Sequence, residues 1–178
     1  MTGQRLEKGM VQIYTGNGKG KTTASIGLAI RAVGHGFRVY MIQFMKGGID
    51  YGELLYVENC PNFEIKQFGR PGFVDKKNPA KIDIDFARQA LEFSFKIIKS
   101  GEYNIVILDE INVALEWGLI DIDDVIGLIK GKPDEVELVL TGRYAPKEIV
   151  ELGDYVTEMV EVKHPYSKDI SARKGIEY

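Results

Sequence analysis

Between a short alternating apolar run, Met10-Val11-Gln12-Ile13-Tyr14, and a stretch with helical apolar spacing lies the segment Gly16-Asn17-Gly18-Lys19-Gly20-Lys21-Thr22-Thr23. Strand, glycine-rich loop, Lys-Thr and helix, in that order, form the arrangement that wraps backbone N–H groups around a phosphate chain. The glycines let the backbone take positive φ and come close to an anion. Lys21 supplies a mobile positive charge for terminal phosphate oxygens, and Thr22 a hydroxyl for Mg²⁺. The residues from Gly16 through Asn17, Gly18, Lys19, Gly20, Lys21 and Thr22 to Thr23 are therefore the candidate binding loop for a nucleoside triphosphate. The usual spacing puts the first glycine five residues before the Gly-Lys pair, at a position held here by Thr15, so Gly16 comes one residue late.

The 178 residues suit one α/β domain, read here as spanning 1–178. A net charge of −3 offers no global attraction for nucleic acid or an anionic membrane. A single cysteine, Cys60, excludes an internal disulfide framework and fits a reducing cytoplasm. Arg5, Glu7 and Lys8 interrupt any apolar leader, and no apolar stretch is long enough for a bilayer.

Downstream, strands and helices alternate. Strands are expected at 10–14, 37–42, 63–67, 104–108, 136–140 and 155–162. Helices are expected after the loop and at 51–58, 85–99, 121–130 and 146–152. The first helix carries an apolar stripe of Ile26, Ala29, Ile30 and Val33, with Arg31 off it; the one at 85–99 carries Phe86, Ala90, Phe93 and Ile97. Residues 68–79 are the least regular part of the chain. The near-continuous apolar run Ile105-Val106-Ile107-Leu108 is that of a strand covered on both faces, so the fold is α/β with a mainly parallel central sheet flanked by helices.

Asp109 and Glu110 close that apolar strand. In phosphate-loop proteins a carboxylate at the end of a neighbouring strand holds Mg²⁺ opposite the loop hydroxyl. Adjacent strand residues point to opposite faces, so one of the two is expected to face the metal. Thr141-Gly142-Arg143 follows the strand at 136–140, bringing an arginine to the carboxyl edge of the sheet, where it can pair with phosphate. His35 and Cys60 read as turn residues, and His164 as either a turn residue or a ligand contact. No Ser-His-Asp arrangement, GxSxG elbow or zinc-type Cys/His spacing occurs. Such a chain is equipped for a reaction in which the substrates bring the nucleophile and the protein brings orientation and charge.

Taken in order, the run from Gly16 to Ala24, Arg31-Ala32-Val33-Gly34-His35-Gly36, Leu108-Asp109-Glu110, Thr141-Gly142-Arg143, Val162-Lys163-His164-Pro165 and Gly175-Ile176-Glu177-Tyr178 resemble the P-loop type of corrinoid (cob(I)alamin) adenosyltransferases. The resemblance implies a RecA-like domain working as a homodimer. It implies transfer of the 5′-deoxyadenosyl group of ATP to the Co(I) of a reduced corrinoid, with release of triphosphate. It further implies that the loop holds the leaving triphosphate, with Lys21 and Glu110 as catalytic residues. Thr22 and Glu110 would bind Mg²⁺, Asp109 would assist, and Arg31 and Arg143 would contact nucleotide or phosphate. A flavoprotein-type reductant is implied as partner. A common family pattern under the corrin is Gly-Phe-Thr-Trp; here it reads Gly72-Phe73-Val74-Asp75, so Phe73 is the corrin contact and Asp75 stands at the tryptophan position. The competing readings are a P-loop kinase or ATPase acting on a nucleoside or other small molecule, and an ATP-binding module or nucleic-acid motor. The kinase wants a base and an arginine-bearing lid. The motor wants a basic stripe that this chain lacks.

Overall fold

The computed structural model describes residues 5–48, 51–165 and 170–178. The chain runs β1 (Val11–Thr15), α1 (Lys21–Gly34), β2 (Val39–Phe44), α2 (Gly52–Val57), β3 (Phe63–Phe68) and α3 (Lys81–Ser100). It continues β4 (Ile105–Asp109), α4 (Ile111–Glu116), α5 (Ile122–Lys130), β5 (Glu137–Thr141), α6 (Lys147–Val150) and β6 (Tyr155–Glu158). The six strands form one sheet in the order β3-β2-β4-β5-β1-β6. Every pairing is parallel. All strands therefore end on one edge, and the order reverses beside β1, which is where ligands bind in open sheets of this kind.

The central strands are apolar along their length because both faces are covered. Alternate residues separate cleanly: Tyr40, Ile42, Phe44, Val106, Leu108, Leu138 and Leu140 pack on the side of α3, α4 and α5. Val39, Met41, Ile105, Ile107 and Val139 pack under α1. Each fully buried aliphatic side chain here, such as Ile107 or Leu108, contributes about 2 kcal/mol of apolar transfer.

Several local expectations shift. Helix α3 starts at Lys81, well before 85, and its buried stripe is Ala87, Ala90, Leu91, Ser94 and Ile98 instead of the aromatic one, leaving Phe86, Phe93 and Ile97 half-buried. In α1 the buried side is Lys21, Ser25, Ala29 and Ala32. Small residues let the helix lie close on the sheet, while Ile30 stays 48% exposed. The short helix α4 was not expected from the sequence, since it begins one residue after a strand and buries Ile111 through Leu115 without helical periodicity. Strand β6 stops at Glu158, because Met159 and Val160 leave the sheet edge to support the phosphate loop.

That support explains the displaced glycine. Thr15 is still strand, paired in register with Glu158. Its hydroxyl accepts a hydrogen bond from the Ala145 N–H at 3.2 Å. The turn begins at Gly16, with φ of 89°, where a Cβ would stand 2.5 Å from the Met159 carbonyl oxygen. Only glycine fits there.

Candidate active site

The parallel register brings the functional groups together. Gln43 of β2 stands opposite Asp109 of β4. Tyr14 of β1 stands opposite Thr141 of β5, so the loop after β1 opens beside both strand ends. Among the described residues, the non-glycine positions with positive φ are Met45 (56°), Glu110 (64°) and Tyr144 (61°). They lie just beyond β2, β4 and β5, at the same edge. Such strain costs roughly 1–3 kcal/mol per residue and accumulates at sites where geometry matters.

Asp109 is the centre of the cluster and is fully buried. Its Oδ1 accepts from the Thr22 hydroxyl at 2.8 Å and from the Thr141 hydroxyl at 2.7 Å. Its Oδ2 accepts from Lys46 Nζ at 2.7 Å and from Gln43 Nε2 at 3.2 Å. Burial alone would push this carboxyl up; the adjacent Lys46 ammonium and the two hydroxyl donors outweigh it and hold the group below its usual range. The Thr22 proton points at Asp109, which leaves the lone pairs of Thr22 Oγ1 free for a cation.

The expected alternation of the acidic pair stops at the strand end. Glu110, in its left-handed conformation, donates its N–H to Thr141 Oγ1 at 3.1 Å, and its carboxylate feels Asp109, Lys46, Lys21 and Arg143. Burial and then the Asp109 charge raise its pKa above the ordinary 4.5. Both carboxylates thus belong to one electrostatic unit. Thr22 Oγ1 and the Glu110 carboxylate are hard oxygen donors, with Asp109 held behind Thr22, and suit a hard divalent cation. Among the described residues there is no group of three or more His, Cys, Asp or Glu able to hold a metal ion by itself. Phosphate oxygens and water would have to supply the remaining ligands, as is usual for Mg²⁺.

A pH dependence follows from these two shifts. Because the folded pKa of Glu110 lies above its unfolded value, its ionisation opposes folding, and metal-free protein loses stability as pH rises from about 4.5 through the raised pKa. Asp109 works oppositely: its stabilisation is present above the unfolded value of 3.8 and is lost as pH falls through its lowered pKa. Glu110→Gln is expected to flatten the first limb, because the ionisation that opposes folding is gone. Urea denaturation between pH 3 and 8 (roughly the range set by these groups) measures both, and an unchanged upper limb would contradict the Glu110 environment described.

Lys21 is buried, and its Nζ donates to the Gly16 carbonyl at 2.8 Å and the Gly18 carbonyl at 2.7 Å. Burial first of all lowers its pKa, opposed by Glu110. Arg143 is exposed, beyond Gly142, and its charge is felt at both Lys21 and Glu110. Arg31 is not brought to this cluster. It lies ten residues along α1 from Lys21, about 15 Å down the axis. Thr23 lines a groove of about 370 Å³ beside Thr22, Ile26, Ile30, Tyr51 and Tyr56. Phe73 is fully exposed at a second cavity of about 380 Å³ shared with Met45, Gly72 and Arg70. Arg70 is tied to Asp83 by two bonds of 2.7 and 2.8 Å, which anchors the irregular loop to the start of α3. Asp75 does not enter the cavity lining; its Oδ1 accepts from the Lys77 N–H at 2.9 Å and closes a turn. A further cavity, about 860 Å³, lies between α3, α4 and α5 and touches none of these groups.

Sequence reasoning missed Gln43, Lys46 and the hydroxyl of Thr141. It also missed that the C-terminal residues reach the loop, with Lys19 Nζ 3.3 Å from the Ile176 carbonyl and 3.8 Å from Glu177. Lys46, Tyr51, Glu177 and Tyr178 line both the groove and the second cavity. Of the tail whose ordering the sequence leaves open, 166–169 lie outside the described residues.

The sequence model of the family described as ATP:corrinoid adenosyltransferase BtuR/CobO/CobP matches residues 7–178. The chain belongs to this family. It is 34% identical over 174 residues to a corrinoid adenosyltransferase of Pseudomonas aeruginosa, covering 98% of this chain and 86% of that protein. It is 35% identical over 178 residues to one of Sinorhizobium sp, covering 97% and 81%. To the Escherichia coli K12 corrinoid adenosyltransferase it is 33% identical over 172 residues, covering 97% and 87%. The parallel sheet flanked by helices is the phosphate-loop architecture expected of an ATP:corrinoid adenosyltransferase, and the kinase alternative is not favoured. No helix among the described residues is long and apolar enough to cross a membrane.

Proposed function

We propose that the chain is an ATP:corrinoid adenosyltransferase, transferring the 5′-deoxyadenosyl group of ATP to the Co(I) of a reduced corrinoid. The cobalt electron pair forms the Co–C bond, the C5′–O bond breaks, and its electron pair leaves with triphosphate. The observation that carries the reading is the shared wall: the groove that begins at Thr22 and Thr23 adjoins the Phe73 cavity through Lys46 and Tyr51. A polyphosphate and a large apolar-faced substrate can thus meet. No histidine or cysteine lines either space. The nucleophile is supplied by the corrinoid, so the protein needs charge stabilisation more than a base.

In this reading the backbone amides from Gly16 to Thr22, with Lys21 and Arg143, hold the departing triphosphate. Thr22 and Glu110 would hold Mg²⁺, with Asp109 orienting Thr22; the ion would supply charge neutralisation on the phosphate oxygens. The exposed position of Arg31 leaves it for a contact outside the triphosphate. One domain spans 1–178 and works as a homodimer in the cytoplasm, drawing electrons from a flavoprotein-type reductant, with no nucleic-acid or membrane partner. Protein mixed with ATP, Mg²⁺ and chemically reduced cob(I)alamin is expected to give the light-sensitive spectrum of an alkyl-cobalt corrinoid; a persistent cob(I) spectrum would reject the activity.

Phe73→Ala is expected to remove about 1–2 kcal/mol of apolar contact with the corrin. It should slow the reaction started from cob(II)alamin with reduced flavin as the one-electron donor roughly tenfold more than that started from cob(I)alamin. Stopped-flow spectra from the two starting states measure this, and equal losses would mean that Phe73 does not set the cobalt environment.

A further inference from the structure

We propose that Lys46 is a positioning residue for the metal end of the site, acting through Asp109. The inference rests on the reading of Thr22, Asp109 and Glu110 as that metal end. All four acceptor directions of the Asp109 carboxylate are engaged, two by hydroxyls on Oδ1 and two by nitrogen donors on Oδ2. Of these four donors only Lys46 is charged. A carboxylate clamped this way cannot rotate, and the Thr22 proton is held toward it at 2.8 Å. The cation-facing lone pairs of Thr22 are therefore set by a chain that begins at the Lys46 ammonium. Removing that ammonium leaves Oδ2 with only the longer Gln43 bond of 3.2 Å, and the buried carboxylate can then turn to keep its remaining donors.

The backbone around Lys46 is built to hold that ammonium in place. Met45 takes φ of 56° directly after β2, turning the next residue back over the strand end. A Cβ at Gly47 would lie 2.3 Å from the Gly69 carbonyl oxygen, so the turn packs flush on the loop after β3. Gln43 is held in turn by Gln67 at 2.9 Å and Glu53 at 3.3 Å. The Lys46 side chain is 16% exposed; its stem lines the wall between groove and cavity, and its Nζ lies 5.2 Å from the centre of the Tyr51 ring. The charge thus serves the metal end, while the stem serves the wall. Methionine keeps most of the stem and removes the charge, so Lys46→Met separates the two roles.

Calorimetry of ATP binding with and without Mg²⁺ tests this in wild type, Lys46→Met, Lys46→Arg, Asp109→Asn and the double variant Lys46→Met/Asp109→Asn. Lys46→Met is expected to weaken ATP binding in Mg²⁺ by about 10–100-fold, the usual loss when the partner of a ligating group is removed. In EDTA the change should stay within about twofold, and so should the affinity for cob(II)alamin. Lys46→Arg should recover most of the Mg²⁺-dependent gain. In the Asp109→Asn background, Lys46→Met should change ATP affinity by less than about twofold, because its target is already neutral. Should Lys46→Met alone fail to fold, the comparison of the double variant with Asp109→Asn, made at a temperature where Asp109→Asn is folded, still decides, and a loss above about twofold there overturns the proposal. Equal losses with and without Mg²⁺, or the same loss in both backgrounds, would overturn the proposal. Wild type without Mg²⁺-dependent affinity would overturn the reading beneath it.

Discussion

Lys21→Ala is expected to lower the rate of Co–C bond formation by about a hundred- to a thousandfold or more, with the fold intact. That is the usual loss when a preorganised group facing developing negative charge is removed from a secluded site. In the proposed reading Lys21 meets both conditions. It is buried, and burial lowers its pKa, so its charge is poorly compensated by water. It also sits at the first position of α1, where the helix dipole adds to its field. The stability cost stays limited: the variant loses two hydrogen bonds from a charged donor, to the Gly16 and Gly18 carbonyls and worth about 1.5–3 kcal/mol each, but also loses the penalty of burying the ammonium. Single-turnover spectra together with a thermal melt check both halves. Near-normal turnover would contradict the role given to the loop; a collapsed melt would mean that Lys21 chiefly holds the loop together.

The second large effect concerns stability. Asp109→Asn takes away the carboxylate bonded to the Lys46 ammonium at 2.7 Å and leaves only the Glu110 and Glu53 charges to oppose it in a nearly closed space, a change that costs about 3–5 kcal/mol. In a domain of this size that corresponds to a melting temperature lower by roughly 6–20 °C. Adding Lys46→Met should return a substantial part of the loss, because the double variant removes both charges. Urea denaturation of the four proteins gives the coupling directly. A loss below about 1 kcal/mol in Asp109→Asn would mean that the pair is more hydrated than its burial implies.

Much of this was legible in the sequence, and the gaps have physical reasons. The loop from Gly16 to Thr23, the buried strand ending in Asp109 and the Thr141-Gly142-Arg143 turn each announce a strand end on one edge of a parallel sheet. Knowing that edge is enough to gather them. The displaced glycine became intelligible only once Met159 was seen against Gly16, a contact between residues far apart in the chain. Lys46 escaped notice because a lysine before two glycines looks like an ordinary solvated turn. The same edge rule that gathered Arg143 would have gathered it, since β2 neighbours β4. Arg31 is a different case: the family resemblance attached it to nucleotide or phosphate, and helix rise puts it away from the phosphate loop, so any contact it makes with the nucleotide lies outside the triphosphate. The helical stripes of α1 and α3 were misplaced because alanine and serine, which counted little in the apolar pattern, are the residues that let a helix approach a sheet closely.

In the proposed reading Asp109, Glu110 and Thr22, with the Phe73 cavity adjoining, serve a site that parts a sugar carbon from an intact polyphosphate. Phosphorus NMR of the products of a complete reaction with cob(I)alamin tests that most directly. One equivalent of unbroken triphosphate for each Co–C bond formed is the expected result; ADP and inorganic phosphate in its place would contradict it.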